Sequence, residues 1–195
     1  MSRALSAKDR PYHVSVSNEQ KRLKLDRRRL IEAVRTTLGR ERVAGAEISI
    51  ALLDDEAIRP INLAYLNHDY APDVLSFLLE ESGGDETGSF SERGAGKILS
   101  GEILIGVEEA MRVAKKFDWP AEDEVLLYLV HGLLHLCGYD DLSPAEKRIM
   151  RRREKEILGL WGLSVPYQNR KSGPESRTRK ETTAQGNVRP GGRQR

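Results

Sequence analysis

Two histidines four residues apart, His131 and His135, stand in the run His131-Gly-Leu-Leu-His135-Leu-Cys-Gly138-Tyr-Asp140-Asp141. A spacing of four places both imidazoles on one face of a helix. Leu126, Leu127, Leu129, Val130, Leu133, Leu134 and Leu136 surround them, so this helix is apolar on every side and predicted to be buried. Buried imidazoles need partners for their ring nitrogens, because an unpaired buried polar group is costly. A divalent metal satisfies both at once. Gly138 tolerates positive φ where the chain reverses, and Asp140 and Asp141 follow on the return. One of these two carboxylates then completes a three-ligand site open to water. Imidazole and carboxylate donors in an incomplete tetrahedron match catalytic zinc, at one ion per chain. Hydrogen-bonded core histidines are the competing reading of the same pair.

The run departs from the metallopeptidase helix, in which Glu follows the first His and acts as general base. Gly132 occupies that position here, which argues against a zinc hydrolase of peptides. Cys137 lies two residues past His135, off the histidine face, and reads as a small core residue. As the only cysteine it excludes an internal disulfide framework and fits a reducing compartment.

These residues need a scaffold, and the flanking pattern supplies one. Residues 12–17 and 47–53 alternate or run apolar as strands, and 73–79 and 97–105 add two more. Apolar residues at Leu23, Leu30, Ile31, Val34 and Leu38 recur at helical spacing until Gly39. Asp54 and Asp55 open a helix over 55–66, and 107–117 is amphipathic. Pro120, with Glu122, Asp123 and Glu124 behind it, starts the histidine helix. Ser143-Pro144 with Glu146 opens the last helix, over 143–160. Glycines and acids over 80–96 predict a long flexible loop. The expectation is one α+β domain over 10–166, a small mixed β-sheet of about four strands packed with about five helices.

The 195 residues are 32% charged, with a formal net charge of +2. Residues 167–195 carry eight Lys or Arg and two Glu, whereas 1–166 carry 24 basic and 28 acidic residues. The segment 167–195 is poor in large apolar residues and reads as a disordered basic tail suited to weak contact with nucleic acid. Lys21, Arg22, Lys24, Arg27, Arg28 and Arg29 offer a second basic face for phosphates. No apolar run reaches the roughly 20 residues needed to span a bilayer, and the first residues lack a secretory signal. A cytoplasmic location is expected.

The run HGLLHLCGYDD at 131–141 resembles the H-G-x-L-H-L-x-G-Y-D-H signature of the bacterial YbeY family of zinc-dependent endoribonucleases, also called rRNA maturation factors. DYAPDVLSF at 69–77 and GEILI at 101–105 resemble two further family segments, and the likeness covers about residues 45–160. It implies zinc held by His131, His135 and Asp141, with Asp141 in place of the family's third histidine. His131 and Asp140 are expected to take part in catalysis, Asp140 by orienting an imidazole through its other ring nitrogen or as general base. Asp73, Ser76 and Arg59 are the expected cleft residues. The implied activity is cleavage of single-stranded RNA in ribosomal RNA maturation, at the 16S 3′ end, and in ribosome quality control. The implied partner is the small ribosomal subunit.

Three departures mark this chain. Asp141 lowers the net charge of the centre from +2 to +1 relative to three imidazoles. Leu66 stands where the family has an arginine, with Arg59 seven residues earlier as partial replacement. Pro72 replaces a threonine. Leu66 leaves a second expectation open, an assembly or RNA-binding factor with a structural metal and little turnover.

Overall fold

The computed structural model describes residues 11–84 and 93–166. Its strands β1 Tyr12–Asn18, β2 Gly45–Leu53, β3 Val74–Gly83 and β4 Lys97–Gly106 form one sheet in the order β1-β2-β4-β3. β1, β2 and β4 run parallel, and β3 pairs antiparallel with β4. The helices are α1 Arg27–Arg40, α2 Asp55–Leu66, α3 Val107–Phe117, α4 Ala121–Cys137 and α5 Pro144–Leu158. The α+β class, the mixed four-stranded sheet and the five helices agree with the patterning.

Strand alternation sorts the core into two layers. Ile48, Ile50 and Leu52 of β2 and Leu99, Ile103 and Ile105 of β4 pack with α1 and α4 in the larger one. Leu53, Leu75 and Leu104 point the other way, onto Ile58 and Leu66 of α2. α4 is buried on all sides, as its sequence requires, with sheet beneath it and α1, α3 and α5 around it. At Gly132 an added Cβ would meet Ile103 Cγ2 at 3.2 Å and Val74 Cγ2 at 3.4 Å. The position that holds a carboxylate in the peptidase helix is therefore a packing position here, turned into the sheet.

Two boundaries differ from the sequence expectation. The periodicity starts at Leu23, but α1 starts at Arg27, where the Asp26 side chain accepts from the Arg28 amide at 2.9 Å. The Gln20 carboxamide binds the Arg22 and Leu23 amides and the Leu23 carbonyl, which holds 20–23 as a turn. The predicted loop at 80–96 is shorter than expected, because β3 continues past a register shift at Leu78–Glu80 and pairs Gly83 with Lys97. Within that loop residues 85–92, and the basic tail at 167–195, lie outside the described residues.

Candidate metal centre

α4 ends where the site needs it to. Gly138, at φ 103°, accepts the left-handed conformation that other residues adopt only with strain. Its amide and that of Tyr139 close the helix onto the His135 and Leu134 carbonyls. The chain then turns back, and the Asp140 carboxylate accepts from the Asp141 and Leu142 amides at 2.6 and 3.0 Å. This turn brings Asp141 beside the helix it has just left, with Oδ1 3.8 Å from His135 Nε2. One ligand atom from each of His131, His135 and Asp141 lies within 4.8 Å of the others.

The two imidazoles meet edge-on, with Nε2 of one 3.0 Å from Nε2 of the other. His135 Nδ1 is 3.0 Å from the Tyr139 carbonyl, which can only accept, so that nitrogen carries a hydrogen. His131 Nδ1 is 2.6 Å from Oε1 of Glu154, a carboxylate 3% exposed on α5. With both Nδ1 atoms donating, the neutral rings turn two bare Nε2 lone pairs toward each other. Such a pair is stable only around a shared proton or a cation, so the donor set fits a divalent metal. The arrangement also has the acceptor behind each ligating imidazole that fixes tautomer and ring orientation at metal sites.

The electrostatics follow from the same contacts. Burial acts to lower the His131 pKa, but the Glu154 hydrogen bond and charge, with help from Asp73 and Asp141, outweigh it and raise it on balance. Burial, then the neighbouring His131 charge, pushes His135 down to about 4. In the metal-free pair a proton is therefore held more readily on His131 than on His135. Asp73, at the head of β3, keeps solvent-exposed surface, and the loss of solvation from the protein packed around it raises its pKa despite the opposing charge of His131.

The other expected residues divide into two groups. Asp73 lies within electrostatic reach of His131. Ser76 follows on β3 and alternates with Leu75 and Phe77, which places it on the α4 side of the strand with Val74. Arg59 lies on α2, which covers the other face of the sheet, and its guanidinium grips Asp69 at 2.8 and 3.0 Å. Asp140 orients the turn through backbone amides, and the acceptor behind His131 is Glu154. Sequence reasoning missed Glu154, yet a signal existed, since it sits in register with Met150, Ile157 and Leu158 on the buried face of α5. Cys137 is fully buried, and burial pushes its thiol pKa up. Of the basic face at 21–29, Arg22 pairs with Glu108 and Arg29 with Asp123.

A family model described as "Endoribonuclease YbeY" matches residues 15–162. The protein named "Endoribonuclease YbeY" from Salinibacter ruber is 34% identical over 148 residues, covering 76% of this chain and 91% of its own. The protein of the same name from Heliobacterium modesticaldum is 44% identical over 118 residues, 60% of this chain and 70% of its own. A solution structure of a Thermotoga maritima protein aligns over 84% of this chain and 99% of its own, with 21% identity and a TM-score of 0.47.

Proposed function

The chain belongs to the YbeY endoribonuclease family, and from that premise we propose that it is a zinc-dependent endoribonuclease selective for single-stranded RNA. Its substrate in this reading is ribosomal RNA of the small subunit. It matures the 16S 3′ end and contributes to ribosome quality control in the cytoplasm. The observation that carries the reading is the donor set itself: two Nε2 atoms 3.0 Å apart, each backed by an acceptor on Nδ1, with the Asp141 carboxylate alongside.

The residues that would hold the metal are His131, His135 and Asp141. When bound, a zinc ion there supplies Lewis acidity, polarising a phosphoryl oxygen or making a water more acidic. Glu154 keeps the His131 Nδ1 hydrogen in place and so keeps Nε2 directed at the centre. The Tyr139 carbonyl does the same for His135. Asp140 commits Oδ1 to the turn, and in this reading its second oxygen takes the proton from the attacking water. Asp73 holds a proton more readily than an ordinary aspartate, which suits it to give one to the leaving oxygen.

The test is metal analysis of the purified chain together with cleavage of an unstructured RNA. One zinc per chain, lost in His131→Ala, and cleavage abolished by chelation are expected. A metal-free chain that still cleaves RNA would sink the reading. One observation favours the second reading, an RNA-binding assembly factor: Leu66 is spent on packing against the α2-side core and offers no charge to phosphate. Leu66→Arg separates the two, since a large gain in cleavage marks a poised nuclease and no gain favours the binding role.

A further inference from the structure

We propose that the outward face of α5 is a phosphate-binding track for RNA, formed by Arg148, Arg151, Arg152 and Lys155; the proposal rests on the RNA reading above. At 100° per residue these four side chains fall within an arc of about 100°, and all four residues are exposed. The opposite face of the same helix buries Met150, Glu154, Ile157 and Leu158. Arg153, on the other flank, reaches Glu41 and the Arg40 carbonyl, so the cationic arc lies on the flank turned away from α1.

The acids of α5 are all engaged off this arc. Glu146 pairs with Arg93, Glu154 holds His131, and Glu156 is held by Arg153 at 2.9 Å. Arg152 comes within 4.0 Å of Glu156 with both side chains largely exposed, a contact of little strength. Arg148 and Arg151 have no acid partner among the described residues.

A face kept only for solubility would mix signs, because opposite charges three or four apart stabilise a helix and like charges destabilise it. Here Arg148 faces Arg151 and Arg152, and Lys155 faces Arg151 and Arg152, at those like-charge spacings. For Arg148 and Arg151 no acid of α5 offsets that repulsion. Three of the four are arginines, whose forked donors match phosphate geometry better than the point charge of lysine.

The arc runs about 10 Å along the helix, from residue 148 to 155. That length spans about three phosphates of a stacked strand. Lys155 directly follows Glu154 and Arg151 lies three residues before it, so the element that fixes a metal ligand inside also fixes the track outside. The recognition is of backbone charge and carries no base sequence.

The experiment is a salt titration of binding between the full chain and a labelled oligouridylate, with chelator present to prevent cleavage. Arg148→Gln with Arg151→Gln is compared with Lys115→Gln with Lys116→Gln, which removes the same charge from exposed positions on α3. Loss of two phosphate contacts lowers the salt slope by about 1.4 and weakens binding about tenfold near physiological salt. The α3 pair is expected to leave the slope unchanged. An unchanged slope in the α5 pair, or an equal fall in both pairs, would overturn the track, as would weakened binding to phosphatidylserine vesicles with RNA binding intact. A wild-type chain that fails to cleave RNA while the α5 pair still lowers the slope removes the nuclease and supports the track.

Discussion

Glu154 is the side chain on which the orientation of His131 depends. Glu154→Gln removes the carboxylate while keeping an acceptor, and metal affinity is expected to fall about 10- to 100-fold, read by competition with a chromophoric chelator. Unchanged affinity would mean that the 2.6 Å contact does not orient the ring. Asp73 gives a second prediction of opposite sign. Its folded pKa lies above the unfolded value of 3.8, so its ionisation stabilises the unfolded chain. The stability it contributes is present below that value and is lost as pH rises through the folded pKa. Asp73→Asn should therefore raise the melting temperature of the metal-free protein at neutral pH, with the gain closing below about pH 4. A neutral-pH melt below that of wild type would refute it. At this scale the histidines were legible because their spacing has one geometric meaning. Glu154 was not, because its partner is supplied by tertiary packing of a helix 23 residues away.

At the scale of elements, the α4–α5 turn carries the argument. Gly138 sits at φ 103°, and an alanine there costs about 1–2 kcal/mol of backbone strain. Gly138→Ala is expected to lower the unfolding free energy measured in urea by that amount and to weaken metal binding, since Asp141 is placed by the same turn. Gly138→Asn should recover part of both losses, because Asn tolerates the left-handed region. Equal destabilisation by Ala and Asn would point to sterics at Lys97, whose Nζ lies 3.4 Å from the added Cβ. Helix periods and caps made α2 to α5 readable, since Asp54, Pro120 and Ser143 each stand at a start. The start of α1 was not readable, because Leu23 packs against the core from within a turn that only Gln20 holds. Which face of the sheet receives α2 was equally hidden, and so was the side on which Arg59 is carried. Both depend on strand order, which periodicity does not encode.

For the whole molecule, the histidine pair links folding to pH from both sides. His135, depressed from 6.5 to about 4, contributes stability that is present above pH 6.5 and lost as pH falls toward 4. His131, raised, contributes stability that is present below 6.5 and lost as pH rises through its folded value. The metal-free chain should gain most from the pair near pH 6.5, seen as the difference in urea midpoint from a His131→Asn, His135→Asn chain. A difference that is flat with pH would exclude the shared proton. The fold brings these groups together from α4, its following turn and α5, and Glu154 is the last of them to be made. Synthesis from the N-terminus therefore delivers both imidazoles before the carboxylate that orients the first. At about 5–20 residues per second, the 13 residues from Asp141 to Glu154 take about 0.7–3 s. A nascent chain in that interval has its metal donors but not its finished centre, so competence arrives late in the life of the growing polypeptide.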